Sequence, residues 1–324
     1  MDTLLEVLAF GGKALLVFLT FAACVGFLFS RVQRRRGAEP FVRLKEISER
    51  WRRNRDEIVA HLLPDPRARK EAAKRLRKGP SPSIGLSRRV FVIDFKGDVM
   101  ASATDSLREE VTVVLGIASP QDEVVVRLES AGGAVHGYGL AASQLARVRT
   151  AKIPLTVCVD KVAASGGYMM ACVGTRVLAA PFAILGSIGV VAPVPNLHRL
   201  LDRFGVDYED VTAGKHKRPV SLLGEIHEEG RAKLKEQVDE THMLFKRFIH
   251  EMRPSLDVET VATGEHWYGT RAVELGLADA LATSDDYLLQ QAQTSRVFEV
   301  TCERPRTMRE RAFSMARRAA RALA

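Results

Sequence analysis

Cysteine is scarce in this 324-residue chain: Cys24, Cys158, Cys172 and Cys302 are its four, widely scattered. A disulfide framework needs more cysteines in closer array, so that class of small stapled fold is excluded. There is no CxxC pair and no Cys/His cluster at ligand spacing, which removes the usual zinc sites. Cys158 and Cys172 lie in apolar runs and read as small core residues. A basic face is also missing where a nucleic-acid-binding body would need one. The net charge is +9, but residues 31–89 carry 19 basic and 7 acidic side chains, residues 306–324 carry 6 and 1, and residues 90–305 carry 22 and 29. An acidic body with basic flanks argues against a nucleic-acid partner. It fits flanks lying near anionic lipid. For residues 43–78 a merely solvated charged segment is the competing reading.

The start of the chain is expected not to be a cleavable leader, for it lacks the marks of one. The start, MDTLLEV, is acidic where a leader is basic, and no A-x-A site precedes a polar mature start. What is there is ALLVFLTFAACVGFLFS (residues 14–30), extended by residues 8–12 and interrupted only by Lys13, which can snorkel. About 22 apolar residues suffice for one membrane span. RVQRRR follows, and basic residues beside a span favour the cytoplasmic side. The expectation is a single-pass anchor over residues 1–30 in a bacterial inner membrane with the body inside the cell, the periplasmic side being the alternative. Residues 177–194 are equally apolar, but Pro181, Gly186, Gly189 and Pro193 break them into short buried strands and turns.

Residues 31–89 read as a basic arm and linker, with helices expected over residues 42–63 and 68–78 and a GPSPSIG linker at residues 79–85. From residue 90 the pattern alternates. VFVIDF, EVVVRLES and IPLTVCVD read as buried strands; residues 104–117, 134–148 and 165–173 read as helices; RVLAA and AILGS read as short strands. This implies an α/β body with a largely parallel sheet, whose sites gather at the carboxyl ends of strands. Residues 225–252 form a long helix whose Leu234, Val238, Thr241, Phe245, Phe248 and Met252 mark one packing face. Residues 306–324 read as a basic amphipathic helix, either on a membrane surface or a solvated tail.

Both glycine-rich turns follow strands. KVAASGGYMMA (residues 161–171) sets Ser165 on a nearly bare strand–turn–helix corner. That exposes a hydroxyl at a helix N-terminus, where N–H groups and the helix dipole suit an oxyanion. Gly166 and Gly167 clear the approach for a substrate. SAGGA (residues 130–134) does the same with Gly132 and Gly133. Two such turns from adjacent strands make a nucleophile and its oxyanion hole; two tight turns and nothing more is the plain alternative. A serine also needs a base. His136, His198, His216 and His266 lie near plausible segments, but none has an evident Asp orienter, so no Ser-His-Asp triad is readable. TAGKHKR offers Lys215 and Lys217. A base lysine must be neutral, and burial against apolar walls lowers its pKa from about 10.4 towards 7 or 8. From the residues alone the base stays open.

LESAGGAVHGYG, DKVAASGGYMMAC, PFAILGSIGVV, TAGKHKR and GEHWYGTRAVELGLAD occur in this order between residues 90 and 281. In that combination the chain resembles the bacterial signal-peptide-peptidase (S49) family of serine proteases, its SohB-like branch in particular. The resemblance implies a ClpP/crotonase-like fold of stacked ββα units over residues 90–305, preceded by one transmembrane helix. It implies a Ser–Lys dyad with Ser165 as nucleophile and Lys217, 52 residues on, as general base. Lys215 falls at a variable position. Ser187 of GSIGV would orient the base lysine, and Gly132, Gly133 and Gly166 would supply the oxyanion N–H groups. Ala131 stands where the family usually has proline, which loosens the turn without removing a reacting group. His216 stands where relatives often carry an aromatic residue.

The implied reaction is peptide-bond cleavage through an acyl-enzyme, with no cofactor and no metal. The implied substrates are signal peptides or other membrane-derived peptides. The implied assembly is a homo-oligomer in which neighbouring protomers contribute Ser and Lys to a shared site. Two alternatives remain at this level. A crotonase-type acyl-CoA enzyme would share the fold but not need Ser165 and Lys217 together. A catalytically silent ring-forming membrane scaffold would need neither.

Overall fold

Strands buried on both faces must be apolar nearly throughout, and three segments satisfy this: β2 (Arg89–Lys96), β3 (Glu123–Glu129) and β4 (Leu155–Val159). In the computed structural model, which describes residues 40–77 and 88–303, they are the centre of a seven-stranded sheet. Its order is β1-β10-β2-β3-β4-β6-β9, where β1 is Phe41–Glu46, β6 Arg176–Ala179, β9 Ala280–Leu281 and β10 Arg296–Glu303. From β10 to β9 every pairing is parallel.

Side chains alternate across a strand, so each central strand serves two cores. Phe91, Ile93 and Phe95 of β2, Val124, Val126 and Leu128 of β3, and Leu155, Val157 and Val159 of β4 face one layer. That layer is built by α3 (Thr104–Ile117), α4 (Val135–Thr150), α5 (Gly166–Ala171) and α7 (Glu228–Met252). Val90, Val92, Val125 and Cys158 face the other way, onto Ile47 and Trp51 of α1 (Ile47–Leu62) and Tyr287 and Leu288 of α10 (Ser284–Thr294). Helices on both faces of a mostly parallel sheet make this an α/β fold. Cys158 and Cys172 are buried, and burial pushes both thiols up to about 12, so they are inert core residues.

The elements expected over residues 104–117 and 123–130 stand where the pattern put them. The apolar run of residues 177–194 is divided between β6, a turn and β7 (Ile184–Gly186), as its prolines and glycines require. A second, three-stranded sheet holds β5 (Val162–Ala164) parallel to β7, with β8 (His266–Tyr268) antiparallel beyond it. The strand expected at AILGS is β7, whereas β5 and β8, three residues each, are too short to leave a period in the sequence. The helix expected from residue 42 begins only at Ile47. FVRLKE is instead strand β1, bound to the open edge at β10, and the Glu46 carboxylate takes Arg296 at 2.7 Å and Arg52 at 3.1 Å. The arm is thereby tied to the body, and residues 42–301 form one compact unit. Among the described residues no helix is long and apolar enough to cross a membrane. The anchor expected over residues 1–30, the linker at residues 79–85 and the helix expected at residues 306–324 lie outside the described residues.

Candidate active site

The turn after β3 and the segment after β4 emerge at the same carboxyl end of the strands, because β3 and β4 are parallel neighbours. They are then sewn together. Ser130 N–H donates to Val162 O at 2.9 Å, and Ala164 N–H donates to Ser130 O at 3.0 Å. This brings the SAGGA turn against the residue that follows β5, which is Ser165.

Ser165 has φ 52° and ψ −119°, a backbone that L-residues with a β-carbon avoid. Its amide donates to Gly186 O at 2.7 Å, and its carbonyl accepts from Met169 N–H at 3.0 Å as α5 begins. Strain of this kind costs about 1–3 kcal/mol and persists only where the surroundings over-determine it. Gly132 has φ +89°; a β-carbon on it would stand 2.7 Å from Ala164 O and 2.8 Å from Gly166 N. The chain therefore needs glycine there twice over, for conformation and for approach. A β-carbon on Gly166 would enter the Tyr138 ring, and one on Gly133 would meet Val99 O.

A polar chain that the sequence reading missed holds the turn. Gly132 N–H reaches Ser130 Oγ at 3.1 Å, Ser130 Oγ lies 2.6 Å from Tyr138 Oη, and Tyr138 O–H donates to Asp98 O at 2.8 Å. With the tyrosine proton so committed, Ser130 O–H donates to Tyr138. Burial holds the Tyr138 hydroxyl in its protonated form by raising its pKa. The Gly132 N–H is thus already used. Gly166 is the first residue of α5, where an N–H has no acceptor within the helix, and Gly133 N–H finds no acceptor among the described residues. The signal for the polar chain lay inside LESAGGAVHGYG, where Ser130 and Tyr138 bracket the glycines.

A small cleft opens beside Ser165. Gly133, Gly166, Gly189 and Val190 frame it; Val135, Met169 and, from α7, Thr241 and Phe245 give it an apolar lining. Ser165 Oγ makes no hydrogen bond among the described residues. Ser187 lies alongside, because Ala164 and Gly186 are register partners of β5 and β7. It too has left-handed backbone, φ 50°, and its amide donates to Glu265 O at 2.6 Å.

Lys217 is elsewhere. It lies in an exposed segment between α6 (His198–Arg203) and α7, forms no side-chain bond among the described residues and does not line the Ser165 cleft. Lys215 is occupied with Glu229 of α7 at 2.9 Å. His136, His216 and His266 are exposed, His198 faces Asp202 at 3.6 Å, and none of the four lines the cleft. Within one chain the structure gathers Ser165, Ser187 and the glycines and leaves every candidate base outside. Among the described residues no group of three or more His, Cys, Asp or Glu side chains comes together as a metal site.

Comparison with known proteins assigns the class. The model for the peptidase family S49 N-terminal region matches residues 2–145, and the model for peptidase family S49 matches residues 147–297. The chain belongs to peptidase family S49: it is a protease. Within that family it is SohB-like. It is 43% identical to the "Probable protease SohB" of Haemophilus influenzae over 302 residues, covering 89% of this chain and 86% of the relative. It is 53% identical to the protein of the same description from Buchnera aphidicola over 202 residues, covering 62% of this chain and 66% of the relative. The family resemblance read from the five motifs is therefore correct. Among solved structures, a 1510-N membrane-bound stomatin-specific protease with a substrate peptide aligns over 71% of this chain and 97% of its own, at 13% identity and a TM-score of 0.43. At those values the likeness carries no argument about this chain.

Proposed function

We propose that the chain is a membrane-anchored serine endopeptidase that cleaves membrane-derived peptides, cleaved signal peptides among them, with Ser165 as nucleophile and Lys217 as general base. The observation that carries this reading is the strained Ser165: a β-carbon-bearing residue held at φ 52°, its hydroxyl unbonded beside an apolar cleft and a glycine turn. The family's ClpP/crotonase-like frame of stacked units is the corresponding fold-level reading.

In this mechanism neutral Lys217 Nζ takes the proton of Ser165 O–H as Oγ attacks the peptide carbonyl. The tetrahedral oxyanion rests on Gly133 and Gly166 N–H, while Gly132, bound to Ser130, shapes the hole. Nζ–H⁺ then passes its proton to the leaving amine, and the acyl group stays on Oγ. Water, deprotonated by Nζ, attacks the ester and restores the serine. Ser187 holds the lysine ammonium or amine in line.

The distance between Ser165 and an exposed Lys217 is met by assembly. The segment of residues 190–227 leaves Val191, Phe204 and Val211 largely exposed, at 85%, 76% and 91%. Three such bare apolar residues within one segment support the reading of that segment as a contact surface. A neighbouring protomer supplies Lys217 to the Ser165 cleft. The positive-inside rule puts the body in the cytoplasm. Peptidase assay of the full chain on an unstructured apolar peptide tests the reading: Ser165→Ala and Lys217→Ala each abolish cleavage with assembly intact. Cleavage surviving Lys217→Ala transfers the base role to Lys215 or His216.

A further inference from the structure

One apolar stripe in the body is covered at one end and bare at the other. Residues 47, 51, 58 and 62 share a face of α1, because steps of four and seven return to the same side of a helix. Ile47 is 2% exposed and belongs with Val90, Val297 and Leu288 to one buried cluster, against which Trp51 packs. Past that point the body ends but the stripe continues: Ile58 is 60% and Leu62 76% exposed, with Val59 beside them. The first half of α1 is also fixed by polar bonds, Val297 N–H to Ser48 Oγ at 3.1 Å and Arg52 to Glu46. The second half carries a bare apolar edge on a rigid mount.

The next element supplies a charge of one sign. α2 (Pro66–Arg77) packs back on α1, capped where Arg67 N–H donates to Asp65 Oδ1 at 2.9 Å. It presents Arg67, Arg69, Lys70 and Lys74 to solvent, against a single acidic residue, Glu71.

We propose that this α1–α2 hairpin docks on the surface of an anionic lipid bilayer, with Ile58, Val59 and Leu62 entering the interface and the α2 cations meeting headgroups. Three observations select lipid. An exposed apolar edge beside a cationic helix is what interfacial docking requires, and of the acidic residues next to that edge, Asp56 is already paired with Arg55 at 2.8 Å. A second copy of the hairpin would bring like charge against like charge, and the C-terminal segment of residues 306–324 is basic too. The uncharged run of residues 14–30 ends ten residues before β1, so the chain between them reaches at most about 40 Å. The inference rests on the membrane-anchored reading and adds to it a fixed posture of the body on the membrane.

The test is amide hydrogen exchange on the full chain, in phosphatidylglycerol-containing nanodiscs, in phosphatidylcholine nanodiscs and in neutral detergent. Amides of residues 57–77 exchange about tenfold more slowly in anionic discs than in detergent. Ile58→Ser with Leu62→Ser removes that protection and leaves exchange of the central strands unchanged. Equal exchange in anionic discs and detergent overturns the proposal. So does protection that is present in detergent and lost on dilution, which makes a second copy the occupant. Alkaline carbonate extraction is read separately: a chain stripped from vesicles by carbonate defeats the anchor, while protection on anionic lipid still supports the docking.

Discussion

Ser165 and Ser187 stand one residue beyond the paired ends of two parallel strands, and both have left-handed backbone. Ala164 is in register with Gly186, the φ values are 52° and 50°, and the Ser165 amide is held by the carbonyl that precedes Ser187. Two β-carbon-bearing residues in a conformation suited to glycine, side by side at a cleft, store strain at a place where the side chain is wanted. A purely structural corner would be occupied by glycine.

That strain gives the first prediction. Ser165→Gly and Ser165→Ala both lose peptidase activity, but they part in stability. The glycine variant gains about 1 kcal/mol over wild type by shedding the left-handed penalty, and the alanine variant gains nothing. Denaturant melts of both distinguish them; a glycine variant no more stable than the alanine variant removes strain from the account.

Gly132→Ala is the converse case. The new methyl meets backbone atoms, Ala164 O and Gly166 N, which have no rotamer by which to yield, at a φ of +89°. Destabilisation of about 2–4 kcal/mol follows from strain and displacement together. Peptidase activity falls by about 100-fold or more as the oxyanion donors shift. Wild-type kcat in a folded Gly132→Ala protein would show that the turn does not shape the hole.

Much of this was legible beforehand, for physical reasons that can be named. The central strands bury both faces and therefore read as unbroken apolar runs, and Ser165 stood out because its neighbours have almost no side chain. Of the second sheet only β7 showed, within AILGS; β5 and β8, three residues each, leave no period. β1 did not show either: FVRLKE has the charge of a helix surface, and what makes it a strand is the open edge at β10, more than 200 residues away. Lys217 was one of two lysines that TAGKHKR offered, and only the family likeness ranked it above Lys215, because nothing around it within the chain marks it as a base.

Tyr138→Phe tests the polar chain behind the turn. It leaves Ser130 O–H and Asp98 O without their partner and costs about 1–3 kcal/mol. Tyr138 touches no substrate, so it is a positioning residue. Its loss lowers kcat by about tenfold while KM is little changed, because only the oxyanion donors move. A drop confined to stability would make the chain structural alone.

Acid sensitivity should trace in part to Asp122. Burial pushes this carboxyl up, but hydrogen bonds from Arg89 and from Ser119 outweigh it and hold it at about 2, against an ordinary 3.8. A depressed folded pKa stabilises above the unfolded value and is lost as pH falls through the folded one. The contribution is about 2 kcal/mol, full above pH ~5 and gone below pH ~2. Asp122→Asn therefore costs about that much at pH 7 and almost nothing at pH 2. Melts across that range check it; a constant deficit would assign the loss to packing.

The last prediction concerns which protomer supplies the base. Ser165 is in its cleft, and Lys217 is exposed with no side-chain bond among the described residues, so a dyad within one chain would need the segment of residues 190–227 to fold back over its own body. In the proposed assembly the apolar residues of that segment pack against a neighbour and carry Lys217 with them. Head-to-tail contacts of this kind close into rings. The two readings differ sharply when dead subunits are mixed. Ser165→Ala protomers retain the lysine and Lys217→Ala protomers retain the serine. If the dyad forms across the interface, co-assembled mixtures recover about a quarter of wild-type activity, since random pairing joins an intact serine to an intact lysine at one contact in four. If it forms within a chain, no mixture recovers anything. Chain exchange confirmed by affinity-tagged co-purification makes the silent outcome decisive, and it would return Lys217 to the cleft of its own chain.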